Sequence, residues 1–495
     1  MLALWILGAA VAGTALWSDF DHDEVEHAHL SWAVGRGILP YRDLPQNHVP
    51  GLWILAAPLF DAGRNAVDAL TLGRLACLAA WAGILVLGIG LNHETVDRPP
   101  LAMSLTLAAL MLGVGIPWEA YRFRPDPFAS LGGSLSLLLA ARMHRCPWRY
   151  ALASGVALGL AASLSFKVLP LVLLVPALAV GLWFQKRSPV PVAMVLAHVV
   201  GLSVAALPLL LWIENRGLRE SFWAGALAHN SGLLNLAPLS IGVLLLDPVV
   251  WLGLVGAIAL FRSRSEDGGR ALDPAVCLVV GAGLTLSIGV LAPNHRPYNL
   301  QAFALPGACL AAVGTAHLLA PIRSRSVRVA ALVFVLAAVG HAPLQQVATA
   351  ALPGMTIGRT ELAELSDLAR AGRTSCVAFA PAHPVFCKDA SRLYLTWDLF
   401  FASLGCFSQE RRELSRRDWN DAVARIESEK PDLIVNPGLF ECAWERGVLG
   451  DAQIARFRKL VATEYPHART LGGGCEIVGD TRRTVRVHVR KGRER

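Results

Sequence analysis

Apolar runs of about 20 residues, each long enough to cross a bilayer as a helix, recur from the first residue to about residue 343 and constrain the fold of this chain more than any other feature. They fall at 1–17, 68–92, 100–117, 127–142, 149–166, 168–185, 191–213, 240–262, 274–291, 300–320 and 326–343, which makes about eleven spans by that length criterion. The run at 127–142 and the tight pair meeting at Lys167-Val168-Leu169-Pro170 are the places where the count is most easily changed, and one helix more or less reverses the side of everything that follows. Composition agrees with lipid as the solvent. Only 17% of the 495 residues are charged and the mean hydropathy is +0.47, whereas soluble proteins carry about 25% charged residues.

A net charge of +8 would suit a nucleic-acid partner, but none is expected here, because the positive residues fall in short loops between apolar runs. Alternate loops hold Arg98; Arg142, Arg145 and Arg149; Lys186 and Arg187; Arg262, Arg264 and Arg270; and Arg323, Arg325 and Arg328. Short basic loops stay cytoplasmic. The intervening loops are longer, and the first is strongly acidic. An odd number of helices with a cytoplasmic N terminus then places the C-terminal region outside. The first run is expected to be an uncleaved helix: no basic segment precedes Leu2, which argues against a signal peptide, and the start codon stays open to reassignment. The basic end Arg490–Arg495 reads as a solvated terminus.

The composition changes near Leu352, where charges become frequent and apolar runs shorten. Cys376–Ala380 and Asp432–Val435 read as short buried strands, and 360–371, 415–429 and 451–464 as helices with apolar residues at helical spacing. Strands alternating with helices predict a small α/β domain over 351–495, following a membrane domain over 1–350. None of the nine cysteines forms a C-x-x-C pair, so neither a zinc ribbon nor a redox motif is indicated. Cys77, Cys146, Cys277 and Cys309 lie in or beside apolar runs. Cys376, Cys387, Cys406, Cys442 and Cys475 lie in the polar region, where disulfides form if it faces an oxidising compartment. Cys376 with Cys387 and Cys406 with Cys442 are the pairs to test first, leaving Cys475 free, although sequence alone does not decide connectivity.

The chemistry is concentrated between Ser18 and Trp53, in a loop over 18–50 and its exit. Asp19, Asp21, Asp23, Glu24 and Glu26 stand with His22, His27 and His29 directly after the first apolar run. A solvated acidic loop is the bland alternative, but charges at a membrane edge mark function by default. Ala28–Val34 has helical spacing, Gly35 and Gly37 end it, and Pro40 and Pro50 set turns. Asp19-x-Asp21-x-Asp23 has the form that holds a metal and a nucleotide sugar. Nucleotide sugars are cytoplasmic, however, and this loop is expected outside. A donor available there is membrane-borne, such as a polyprenyl-phosphate sugar, and the acids then suit a general base and a metal site.

The stretch DHDEVEHAHLSWAVGRGILPYRDLPQNHVP resembles the first external loop of bacterial membrane glycosyltransferases of the GT-C fold, whose relatives include the protein O-mannosyltransferases and the lipid A aminoarabinose transferase. The shared pattern is D-E, a short helix, G-x-x-P-Y-x-D and a charged residue or His before Pro. Asp23-Glu24, Gly37, Pro40-Tyr41, Asp43 and His48-x-Pro50 occupy those places, and Gln46-Asn47-His48 departs from the more acidic or doubled-His versions. Arg124-Pro125-Asp126 matches an R-P-D at the end of the second external loop, and Asn294-His295-Arg296-Pro297-Tyr298 with Pro306 resembles a late external H/R-x-x-Y motif. The resemblance covers residues 1–345 and implies Asp23 as catalytic base, with Glu24 and Asp21 beside it. Arg124 and Arg296, which lie in those motifs, and Lys167, expected near the outer face, would take the donor phosphate, and Tyr41, Asp43, Asp126 and Tyr298 would serve as substrate-side motif residues. It also implies a divalent-metal option, with His27 and His48 as ligands alongside Glu24 and Asp126.

The expected reaction is transfer of a sugar from a lipid-phosphate donor to a hydroxyl on a glycan, lipid or protein at the outer face of the cytoplasmic membrane. A phosphate leaves readily, so the acceptor is the partner that needs a base, worth about 10²–10⁴-fold. A transporter or lipid flippase would share the helix number but should carry acids at mid-membrane in two related halves. No such repeat is visible, and Asp247 is the exception among nearly acid-free segments. Glycan ligases and polymerases place their main loop late in the chain.

Overall fold

A computed structural model describes residues 12–13, 15–44, 46, 48–61, 65–96, 121–185, 190–228, 248–265, 272–291, 301–333, 356–369, 374–378, 385–389, 423–435, 450–471 and 485–491. In chain order the elements are β1 (Phe20–Asp21), α1 (His22–Gly35), α2 (Gly51–Asp61), α3 (Ala66–Thr95), α4 (Pro125–Ala141), α5 (Pro147–Ala162), a 3-10 helix (Phe166–Leu173), α6 (Leu174–Gln185), α7 (Val190–Asn215), α8 (Arg219–Trp223), α9 (Pro248–Ser265), α10 (Pro274–Leu291) and α11 (Gln301–Leu319). They are followed by β2 (Thr356–Ile357), α12 (Arg359–Ala369), β3 (Ser375–Ala378), β4 (Lys388–Asp389), β5 (Leu433–Val435), α13 (Asp451–Glu464), β6 (His467–Leu471) and β7 (Val485–Val489). The chain divides into two compact units. One comprises Met1–Ala15, Leu75–Trp212 and Ala237–Ala350; the other comprises Leu16–Arg74, Ile213–Leu236 and Ala351–Arg495.

The first unit is helical. Among the described residues four helices are long and apolar enough to cross a membrane: Ala66–Thr95, Phe166–Phe184, Pro191–Asn215 and Gln301–Leu319. α4 and α5, with 17 and 16 residues, coincide with two further expected spans, as do α9 and α10 with the next two. The expected runs 1–17, 100–117 and 326–343 lie wholly or largely outside the described residues. Val192, Leu196, Val200, Val204, Leu207 and Leu211 of α7 turn apolar side chains outward, and a helix apolar on its outer face belongs in lipid. The inner faces are apolar as well: α4 packs on α5 and α9 on α11, around Leu137, Leu158, Val168, Leu174, Leu278 and Leu310. α9 and α11 approach backbone to backbone. A Cβ on Gly256 would meet the Leu310 carbonyl at 1.9 Å, and one on Gly314 would meet the Leu252 carbonyl at 2.1 Å. Absent side chains are what permit that closeness. In the basic loop that follows α4, Arg142 and Arg145 both reach Glu94 at the end of α3, at 2.9 and 2.8 Å.

The second unit holds a five-stranded mixed sheet in the order β4-β3-β5-β7-β6. β3 runs parallel to β4 and β5, and β7 is antiparallel to β5 and β6. Parallel neighbours require a crossover, and a helix over 423–429 precedes β5 on that path. All three residues of β5 are buried, as befits a central strand. Strands β3 and β5 and helices α12 and α13 coincide with the segments read from the sequence. Cys376 and Cys387 are bridged, with Cα atoms 6.0 Å apart; Cys406, Cys442 and Cys475 lie outside the described residues. The same unit contains α1, α2 and a two-stranded ribbon in which Phe20 pairs with Ile357 and Asp21 with Thr356.

Candidate active site

The acidic stretch becomes the N-terminus of α1. Asp21 is the N-cap: its carboxylate accepts from the Asp23 backbone N–H at 3.0 Å, while the Glu24 carboxylate accepts from the Asp21 N–H at 3.0 Å. This reciprocal capping box satisfies two of the donors that every helix start leaves open. The positive end of the helix also favours carboxylates at this place. The helix stops at Gly35, and Gly37 takes φ +78°, where a side chain would be strained.

The three acids then differ in circumstance. Glu24 is fully buried and clamped by Arg74, whose Nε and Nη2 donate to the two carboxylate oxygens at 2.7 and 2.6 Å. Arg74 also donates to the carbonyls of Ser18 and Asp19, at 2.9 and 2.7 Å, and so ties the approach to the helix. Its guanidinium lies 4.3 Å from the Phe20 ring centroid and that of Arg359 lies 5.0 Å from it. Burial first, and then the charge of Arg74, push the Arg359 pKa below its ordinary value. Asp21 is spent on the cap. The Asp23 side chain is 24% exposed and meets His22 Nε2 at 2.5 Å, while His22 Nδ1 lies 3.6 Å from Asp21. Asp23 is thus the most accessible of the three carboxylates.

The donor atoms of Asp21, His22 and Asp23 all lie within 4.8 Å of one another, and their types suit a divalent cation. His27 and His48 are not part of this group. Their rings meet edge to face, with centroids 5.1 Å apart, and His27 Nδ1 accepts from the Trp53 indole N–H at 2.9 Å. That bond occupies Nδ1 of His27. Tyr41 has φ +68° and gives its hydroxyl hydrogen to the His48 carbonyl. Packed against Trp53 and Phe222, it has its pKa raised well above the ordinary value by burial. Asp43 closes the turn before it by accepting from the Leu39 N–H at 2.9 Å and pairs with Arg42.

Three more expected residues stand in the other unit. Arg124 is the N-cap of α4, Pro125 starts the helix, and Asp126 sits in its first turn. Asp126 is 5% exposed, pairs with Lys167 Nζ at 2.8 Å and accepts from the Ser165 hydroxyl at 3.3 Å. The 3-10 helix beginning at Phe166 presents Lys167 for that contact. Arg296 and Tyr298 lie outside the described residues. Arg74 was not anticipated as a site residue. Its signal was present as a cation inside the apolar run 68–92, where an ionisable group is costly unless paired. The apolar helix α2 was not anticipated either.

The fold is similar to the GT-C fold. The individual structures that share it include ArnT from Cupriavidus metallidurans in the apo state, 12% identical, with a TM-score of 0.56 over 98% of this chain and 97% of that one. ArnT from the same organism bound to undecaprenyl phosphate is 13% identical, with a TM-score of 0.51 over 97% of each chain. The oligosaccharyltransferase of Archaeoglobus fulgidus, solved with Zn and sulfate, is 12% identical with a TM-score of 0.47 over 74% of this chain. This chain spans 55% of that protein's length. No protein-family model matches the sequence, and no curated protein sequence does.

Proposed function

We propose that this protein is a membrane glycosyltransferase that moves a sugar from a polyprenyl-phosphate donor to an acceptor hydroxyl on a glycan, lipid or protein at the outer face of the cytoplasmic membrane. The observation that carries the reading is Asp23, an accessible carboxylate on the first turn of a helix, between Asp21, which caps it, and Glu24, which Arg74 clamps. The whole-length likeness to ArnT, a structure of which holds undecaprenyl phosphate, supports the choice of donor.

In this reading Asp23 takes the proton of the acceptor hydroxyl as its oxygen attacks the anomeric carbon. The bond from that carbon to the phosphate breaks, and polyprenyl phosphate departs. Arg124, Lys167 and Arg296 supply positive charge for the departing phosphate, which preorganised cations can stabilise. Asp126 orients the Lys167 ammonium. Tyr41, Asp43 and Tyr298 shape the substrate side, and Glu24 acts through the geometry of the helix start. A divalent ion, where one is used, is best held by Asp21, His22 and Asp23, with His27 and His48 as the alternative set; it would polarise an oxygen or organise phosphate. Residues 351–495 form an extracytoplasmic α/β domain.

The test is purified protein with radiolabelled polyprenyl-phosphate sugars and membrane extract. Asp23→Asn should lower transfer by at least about 100-fold while donor binding changes less, as expected of a lost base. Asp19→Asn and Asp21→Asn are the comparators, and full activity in Asp23→Asn with loss in Asp21→Asn moves the role to Asp21. With Asp23 as a base that needs no metal, transfer survives EDTA; loss restored by one added cation reassigns the trio to metal binding. Lipid movement across the bilayer without a new glycosidic bond would indicate a flippase instead.

A further inference from the structure

α1 is anchored twice. Its start is held by Arg74, the capping box and the β1–β2 ribbon. Its second half is held by a segment 356 residues away in sequence: the buried His29 Nδ1–H donates to the Val385 carbonyl at 2.8 Å. One turn on, Trp32 faces the Phe386 ring, with centroids 6.5 Å apart. The next residue, Cys387, is fully buried and bridged to the equally buried Cys376 of β3, in the sheet. Cys387 runs directly into β4, which pairs parallel to β3, and the cross-link adds a covalent tie to β3 within two residues of the carbonyl that His29 uses.

We propose that the Cys376–Cys387 bridge, acting through the Val385 carbonyl, His29 and Trp32, positions α1, so that the acidic helix start reaches its working geometry only in the oxidised protein. The consequence for activity rests on the transferase reading; the consequence for α1 does not. His29 is a positioning residue in this scheme. The bond forms when the two thiols lose two electrons and two protons to a disulfide-bearing oxidant, protein or low-molecular-weight, which leaves as two thiols. Reduction by a dithiol reverses it. The other described cysteines, Cys77, Cys146, Cys277 and Cys309, belong to the other unit.

The experiment is amide hydrogen exchange, followed by mass spectrometry, on the full-length protein in detergent, with thiols mapped in each sample. Reduced wild type and Cys376→Ala/Cys387→Ala should exchange at least about tenfold faster over 29–35 than oxidised wild type, as local opening predicts. His29→Leu should do the same with the bridge intact and with 375–378 unchanged. His29→Asn, whose amide nitrogen stands where Nδ1 stood, should behave as wild type. Equal exchange over 29–35 with the bridge closed and cut overturns the proposal, as does an unaltered α1 in His29→Leu. Should the double variant not fold, reduction of the folded wild type decides alone. Faster exchange in a protein that transfers no sugar upholds this inference and sinks the transferase reading.

Discussion

Asp23, Glu24 and Asp21 differ by what each already does, and so do the expected effects of changing their partners. Arg74 is the counter-charge that makes a buried Glu24 tolerable. Arg74→Met leaves that carboxylate unpaired in the interior, which should cost about 3–5 kcal/mol. Adding Glu24→Gln should return part of it, and denaturant unfolding in detergent measures both. Arg74→Lys should fall between, because an ammonium cannot bind two carboxylate oxygens in parallel. His29 predicts a pH dependence. Burial holds its imidazole at about 4, against an ordinary 6.5, so the folded protein keeps it neutral. The unfolded chain takes up the proton first as the pH drops. The stability contributed is therefore complete above the unfolded value and is lost as the pH falls from about 6.5 to about 4, a change of about 3 kcal/mol at most. His29→Asn, which keeps a donor for Val385 but does not titrate, should flatten thermal stability across that window relative to wild type.

Among the elements, only the second half of α1 was legible, as Ala28–Val34 stopped by Gly35 and Gly37; its acidic start reads as loop from the sequence, although Asp21-x-x-Glu24 has the spacing of a capping box. The strands β1 and β2 have two residues each, too few to show any periodicity, and their pairing depends on chain returning from far away. The clamp on Glu24 was hidden for the same reason: a carboxylate and a guanidinium 50 residues apart leave no pattern in sequence. Glycines in apolar runs were equally silent until α9 and α11 were seen to touch. Gly314→Val inserts atoms where the Leu252 carbonyl already stands at 2.1 Å from an added Cβ. Overpacking of this kind costs about 1–3 kcal/mol or more. The variant should lower the melting temperature of the solubilised protein, whereas Gly283→Ala, where an added Cβ meets nothing within 4 Å, should not.

For the molecule as a whole, orientation is the property most open to a decisive test. Basic loops such as the one where Arg142 and Arg145 grip Glu94 argue for the cytoplasmic side, and the odd number of helices expected from the sequence would then place the C-terminal region outside. A reporter active only outside the cytoplasm, fused after Leu352, should be active; activity of a cytoplasm-only reporter there overturns the placement of both the acidic loop and the C-terminal region. The ribbon that pairs Phe20 and Asp21 with Ile357 and Thr356 also bears on how the protein is made. The N-cap of α1 is made long before its strand partner, so the ribbon that holds the acidic helix start closes only after the chain between them has been synthesised.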